Sequence, residues 1–245
     1  MRYDSRSLLE LTISYCFFLA LILILSSCQI SPPATEKGII KETGLSPLPT
    51  LPIKGAAHYK INSDQSEIRI LVYRGGPLAK FGHNHVMLAK QIMGDVYLAP
   101  ALSNSGFILT FPVKQIEIDL PKARAEEGED FATRPSPEAI DGTRKNMLGP
   151  DILDAETYPT ITIRSVNIKG PEDNSMAKIQ ITMHGVTKEL STPVSIEHSE
   201  DNLMASGALT LRTSDFNIKP FSVLGGGLQV QDEIKIRFHI LADKD

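Results

Sequence analysis

The chain of 245 residues contains no tryptophan and only two cysteines, Cys16 and Cys28. Everything after residue 28 therefore lacks a disulfide, a thiolate metal site and a cysteine nucleophile. Basic residues show no excess, because 25 Lys and Arg stand against 29 Asp and Glu. This charge balance excludes nucleic acid as an electrostatically favoured partner.

Aromatic residues make up only 6% of the chain, so its core must consist mainly of Ile, Leu and Val. Catalytic motifs are also missing. No Gly-x-Ser-x-Gly elbow occurs, and the glycines at 225–227 are not followed by the Gly-Lys-Ser/Thr of a P-loop. The charged stretch 124–134 predicts a flexible, solvated surface loop rather than paired catalytic acids. We therefore predict a protein that is not an enzyme.

The N-terminus has the three parts of a lipoprotein signal peptide. Arg2 and Arg6 precede an uncharged apolar run over residues 11–25, and Ser26 and Ser27 come directly before Cys28. These features predict that residues 1–27 are removed and that Cys28 is lipidated. An uncleaved transmembrane anchor is the alternative, but polar residues and Pro32-Pro33 interrupt the apolar run too early.

Two acyl chains on one residue are sufficient for stable membrane anchoring. We therefore expect the protein in the bacterial cell envelope, lipid-anchored and facing the periplasm. Gln29 follows the cysteine, which by resemblance to enteric lipoproteins indicates the outer membrane. Residues 28–57 are rich in Pro and Gly and predict a semi-extended tether between anchor and domain.

Residues 58–245 show strand-like alternation of apolar and polar side chains. In residues 233–240, for example, Glu233, Lys235, Arg237 and His239 alternate with apolar residues, so His239 should point outward. The predicted strands are 67–73, 92–98, 106–111, 115–119, 160–166, 178–184, 188–197, 203–211 and 233–240. A helix is predicted from the N-cap Ser136 to about Leu148, where Gly149 and Pro150 end it.

Strands with one apolar face protect their edges best by closing, so we predict a mainly β, antiparallel, lipocalin-like barrel of about eight strands with one or two short helices. The alternation assigns uncharged side chains to its inner wall. They are Ile179, Ile181, Met183, Leu209, Leu211, Ile234, Ile236 and Phe238. Such a wall either packs on itself or binds an apolar ligand, and a carrier requires a cavity of a few hundred Å³.

The string Phe81-Gly82-His83-Asn84-His85 contains a candidate metal site. Residues at positions i and i+2 of a strand point to the same side, so His83 and His85 are placed to bind one ion. A third ligand is needed, and His184 or His58 are the candidates. The alternative is a polar turn whose imidazoles bond to neighbouring backbone.

Several strings resemble, in order, those of the YceI-like family. They lie at residues 59–62, 66–68, 153–161 (LDAETYPTI), 183–188 (MHGVTK), 214–218 (SDFNI) and 230–236. Asn217 stands where the family usually has Gly, and the paired histidines resemble those of a subgroup. The resemblance implies a lipocalin-like barrel with a hydrophobic pocket for a long-chain lipid, typically a polyisoprenoid, and no catalysis.

Together these observations favour a lipid-anchored envelope protein that binds or carries a long-chain, isoprenoid-type lipid without a cofactor. Its partners would be that lipid, the membrane reached through Cys28, and a second copy of the chain if it forms a homodimer. One alternative is a metal- or haem-associated module that uses His83 and His85. Another is a non-catalytic, stress-related scaffold acting through protein contacts.

Overall fold

The computed structural model describes residues 45–245, which form a mainly β structure. Residues 1–44, including Cys16, Cys28 and the predicted signal peptide, lie outside the described residues. The strands are β1 (Ala57–Ile61), β2 (Glu67–Val72), β3 (Arg74–Gly75), β4 (His85–Ala89), β5 (Met93–Leu98), β6 (Gly106–Pro112), β7 (Glu117–Ile118), β8 (Thr160–Lys169), β9 (Ser175–Met183), β10 (Val186–His198), β11 (Asn202–Arg212), β12 (Ser222–Val223), β13 (Leu228–Val230) and β14 (Glu233–Lys244). The α-helices are α1 (Pro121–Ala125) and α2 (Pro137–Leu148).

Eight strands close into an antiparallel barrel. Their order is β1-β5-β6-β8-β9-β10-β11-β14, and β14 pairs back with β1 to complete the ring. The predicted lipocalin-like barrel is therefore confirmed. Closure leaves no unpaired edge in this ring, which is how an all-β domain avoids edge-to-edge aggregation.

The last strand, β14, has two partners on one side. Its first half pairs with β2, where Phe238 lies opposite Ile68, and its second half pairs with β1, where Ala242 lies opposite Ile61. Beyond β2 the sheet continues through β4 to β7. One end of the wall therefore extends past the closed ring, and this extension positions the polar residues described below.

Helix α2 begins and ends as the sequence predicts. The Ser136 side chain accepts a hydrogen bond from the Ala139 N–H, Pro137 occupies the first turn, and Gly149 follows the last helical residue. Met147 is the buried residue of this helix and belongs to the main core. The cap and the proline together fix the point at which the chain turns from loop to helix.

The prediction of a flexible, solvated loop at 124–134 holds only in part, because most of this stretch is exposed but some of its side chains are buried. Arg124 and Phe131 are buried, and α1 begins before this stretch. The Glu127 carboxylate accepts hydrogen bonds from Arg69 and Arg237 on neighbouring strands. Burial disfavours the charge on Arg69, but its bonds to Glu127, Glu126 and Glu67 raise the pKa of the guanidinium. Charged side chains that the sequence predicts to be solvated therefore form ion pairs in this region.

The Pro/Gly-rich segment is not a free tether over its whole length. The Ser46 backbone N–H donates to the Glu189 carboxylate, and the Gln180 side-chain amide donates to the Ser46 carbonyl at 2.8 Å. The hydrogen bond from Lys178, with further bonds from Gln180 and Ser46, lowers the pKa of Glu189 to about 2. The segment therefore contacts β9 and β10 at Ser46, and its residues Leu51 and Ile53 lie beside Gly106 of β6. No helix within residues 45–245 has the length and apolarity to cross a membrane.

The close approach of Gly94 in β5 to the neighbouring strand β6 predicts that a larger residue at this position destabilises the barrel. Its φ is +153°, and a Cβ there would lie 2.1 Å from the Ile108 carbonyl oxygen. We expect Gly94→Ala to lower the free energy of unfolding by about 1–3 kcal/mol, because the neighbouring strand must move. Gly142→Ala is the matched control, since a Cβ there meets nothing within 4 Å. It should raise stability by about 0.5–1 kcal/mol in this helix interior. Urea unfolding measures both, and equal effects would contradict the prediction.

Candidate functional site

The barrel encloses an apolar cavity of about 150 Å³. Apart from Ser105, Gly106 and Thr192, every lining residue is hydrophobic, and none is charged. The lining includes all eight side chains that the alternation assigns to the inner wall: Ile179, Ile181, Met183, Leu209, Leu211, Ile234, Ile236 and Phe238. His239, which follows Phe238 in β14, is exposed as expected.

Cross-strand pairing and one glycine shape this wall. Leu209 lies opposite Ile236 across the β11–β14 pair, so their side chains meet on the inner face. Gly207 faces Phe238 in the same pair, and a Cβ on Gly207 would lie 2.6 Å from the ring of Phe238. Because Gly207 has no side chain, the ring of Phe238 can occupy this space in the wall.

A second cavity of about 180 Å³ lies next to the first and shares four lining residues with it: Ile70, Ile161, Met183 and Ile234. It has more polar residues in its lining than the first: His85, Thr143, Asn146 and Thr213. Neither cavity alone reaches the few hundred Å³ expected for a carrier. A long chain occupies both only when the shared side chains rotate out of its way.

His83 and His85 lie together at the extended end of the sheet. Their ring centroids are 4.6 Å apart, and the buried Asn84 separates them in the chain. Asp119, the residue after β7, completes a group whose ligand atoms all lie within 4.8 Å of one another. The β4–β7 pairing brings this carboxylate to the histidines from more than thirty residues along the chain.

Asp119 is held by three hydrogen bonds. One carboxylate oxygen lies 2.7 Å from His85 Nδ1, and the other accepts from the Val86 N–H at 2.9 Å and from Arg124 Nη1 at 2.5 Å. Burial opposes ionisation, but the bonds from His85, Val86 and Arg124 keep the pKa of Asp119 below its ordinary value. The side chain is 0% exposed, so this carboxylate is a fully buried anion.

Arg124 connects the same group to the surrounding backbone. Its guanidinium donates to the carbonyl oxygens of Asn84 and Thr133 as well as to Asp119. Asn84 in turn donates to the Asp130 carbonyl and accepts from the Arg74 N–H. These bonds fix the loop that holds the two histidines.

Two buried side-chain atoms in this group have no hydrogen-bond partner: Nε2 of His83 and Nη2 of Arg124. Burial, followed by the nearby His85, lowers the pKa of His83 below 6.5. The imidazole is therefore neutral near pH 7, which is the form that binds metals. A buried polar atom without a partner requires an explanation, such as an ordered water or an ion.

The other two candidate ligands lie elsewhere, so their assignment as a third ligand is wrong. His184 forms the β9–β10 turn, where its Nδ1 lies 3.2 Å from the Phe216 carbonyl oxygen. His58 bonds to Asp95 and Asp245 and stacks on Tyr97. Alternation cannot find Asp119, although the predicted strand 115–119 ends at it, because the β4–β7 pairing is a tertiary contact.

Three of the strings that carry the family resemblance, at residues 153–161, 183–188 and 214–218, meet at the β9–β10 turn. His184 and Gly185 both have positive φ, as a tight hairpin turn requires, and the Tyr158 ring packs over Gly185. Phe216 and Asn217 lie beside this turn, and Asn217 has φ +59°, a conformation that Asn tolerates. The departure from Gly at 217 therefore leaves the local geometry intact.

The comparisons with known proteins concern this same barrel. A family model described as the YceI-like domain matches residues 59–242. The crystal structure of Burkholderia cenocepacia BcnA is similar, with a TM-score of 0.55 and 17% identity, over 74% of this chain and 98% of that chain. A Campylobacter jejuni YceI protein aligns with a TM-score of 0.47 and 14% identity, over 65% and 84% of the two chains. No curated protein matches.

The buried pair of Arg124 and Asp119 should dominate the stability of the part of the sheet formed by β4 and β7. Arg124→Met leaves the Asp119 carboxylate buried without its cation, so we expect a loss of about 3–5 kcal/mol in the free energy of unfolding. Lys122→Met, an exposed change in the same helix, should have an effect within about 0.5 kcal/mol. Adding Asp119→Asn to Arg124→Met should restore part of the loss, and additive losses in this double-mutant cycle would contradict the pairing.

Proposed function

Since the chain belongs to the YceI-like domain family, we propose that its barrel binds one long-chain lipid, of isoprenoid type, and carries it without chemical change in the bacterial envelope. The observation that carries this proposal is the uncharged, almost wholly hydrophobic wall of the first cavity. Such a wall binds by removing apolar surface from water, at about 0.8 kcal/mol for each buried CH₂ group. It offers no group that would act on the ligand.

The second cavity supports an amphiphilic ligand. Its apolar part adjoins the barrel interior, while Thr143, Asn146 and Thr213 offer hydrogen bonds. An apolar tail in the first cavity and a polar end in the second would match this division. Rotation of Ile70, Met183 and their neighbours would join the two cavities, so binding would be accompanied by side-chain rearrangement.

Anchoring at the membrane completes the proposal. Lipidation of Cys28 would keep the barrel close to the bilayer that supplies or receives the lipid, and the chain between Cys28 and Leu45 would set its reach. We place the protein at the outer membrane, facing the periplasm.

Lipid binding is tested with the full chain and a variant that fills the cavity. Ala205 lines the cavity, and Ala208 on the same strand is exposed. Ala205→Phe should lower at least tenfold the affinity for the fluorescent fatty acid cis-parinaric acid, because the ring occupies the space of the tail. Ala208→Phe should leave the affinity within twofold.

Mass spectrometry of an organic-solvent extract identifies the natural ligand, since the covalently attached acyl chains stay with the protein. We expect a long-chain lipid near one per chain, and at least tenfold less from Ala205→Phe. Thermal unfolding confirms that each variant is folded. A natural extract without lipid, together with equal probe binding by both variants, would overturn the proposal.

Anchoring is tested separately. Bacteria grown with a radiolabelled or alkyne-tagged palmitate should incorporate the label into the full chain and not into Cys28→Ser. Cys16→Ser is the matched control and should keep the label, because Cys16 lies within the segment predicted to be removed. Equal labelling of the wild type and Cys28→Ser would show that the lipid is attached elsewhere or not at all.

A further inference from the structure

The group of His83, His85 and Asp119 has a composition that the lipid cavity does not explain. His83 lines neither of the two apolar cavities, and Asp119 is fully buried behind the wall. We propose that these three residues form a binding site for one divalent transition-metal ion of the zinc class. This site adjoins the second cavity through His85, but the proposal does not depend on lipid binding.

The types of donor support an ion of this class. Two imidazoles and one carboxylate are a ligand set that zinc and other first-row transition metals favour, whereas calcium and magnesium favour oxygen ligands alone. Three protein ligands leave further positions for water. The site differs in this way from a closed structural site with four protein ligands.

The distances require only small movements. Ligands at about 2.1 Å from a tetrahedral ion lie about 3.4 Å from one another. The three donor atoms here lie within 4.8 Å of one another. Rotation of the two imidazoles and the carboxylate would close this difference, and bonds to the ion would replace the hydrogen bond between Asp119 and His85 Nδ1.

The hydrogen bonds around the group prepare it for an ion. The 2.7 Å contact between Asp119 and His85 Nδ1 already brings two of the three proposed ligands together. Val86 and Arg124 hold the carboxylate in turn. A site fixed in this way loses little conformational entropy when the ion binds.

The buried Nε2 of His83 is the strongest sign of a missing partner. A buried nitrogen left without a hydrogen-bond partner is unfavourable. Binding an ion through this nitrogen would supply the missing partner. A bare ion suits the site better than haem, because the cavity beside His85 has only about 180 Å³.

Isothermal titration of the full chain with ZnCl₂ tests the site. We expect one high-affinity ion per chain, and a loss of affinity of at least a hundredfold in His83→Gln and in His85→Gln. His239→Gln, an exposed histidine on the outer wall, should bind within twofold of the wild type. Circular dichroism melting curves show whether each variant remains folded.

A second measurement uses only the wild-type chain and so does not depend on the folding of variants. In the NMR spectrum of the histidine side chains, ZnCl₂ should shift the ring nitrogens of His83 and His85 at one equivalent and leave His239 unchanged. Absence of a one-to-one site, or shifts confined to other histidines, would overturn the proposal. The unpaired Nε2 would then be explained by an ordered water.

Discussion

Closure of the barrel through β14 is the constraint on which the rest of the structure depends. The strand pairs along its length with β11, and on its other side with β2 and then β1. Because the ring closes, each strand has one face that meets only the other strands, and that face must be apolar. The alternation in residues such as Ile234 and Ile236 is the consequence, and the cavity is the space that their side chains leave.

The division of β14 between β2 and β1 also explains why the molecule has two chemically different regions. Where β14 pairs with β1, the wall belongs to the closed ring. Where it pairs with β2, the sheet continues to β4 and β7, outside that ring. His85 and Asp119 lie on this extension, so a buried polar network forms there without placing charge in the barrel interior. The two proposed sites are thus products of one topological feature.

Prediction from sequence succeeded for features that a short stretch of residues determines by itself. The alternation of apolar and polar residues identified the inward faces of β9, β11 and β14. The pattern is decisive because a shift of one residue would move every side chain to the other face of the strand. The cap at Ser136 fixed the start of α2 for a similarly local reason. Arg124 was misplaced, because its burial depends on Asp119 and on carbonyl groups of other segments. Local sequence carries no sign of such a tertiary ion pair.

Because the inner wall carries no charge, the barrel can distinguish only weakly between one lipid and another. Apolar contacts select by length and shape, and one methylene group changes binding by only about 0.8 kcal/mol. A buried polar group discriminates more strongly, because a ligand that leaves it unpaired loses the full desolvation cost. In the wall of the first cavity, the hydroxyls of Ser105 and Thr192 already bond to backbone groups. The second cavity has more polar side chains, the half-buried His85, Thr143 and Thr213 and the exposed Asn146, on β4, α2 and the turn after β11. Selectivity among lipids should therefore reside at that end, next to His85, and affinity should reside in the barrel.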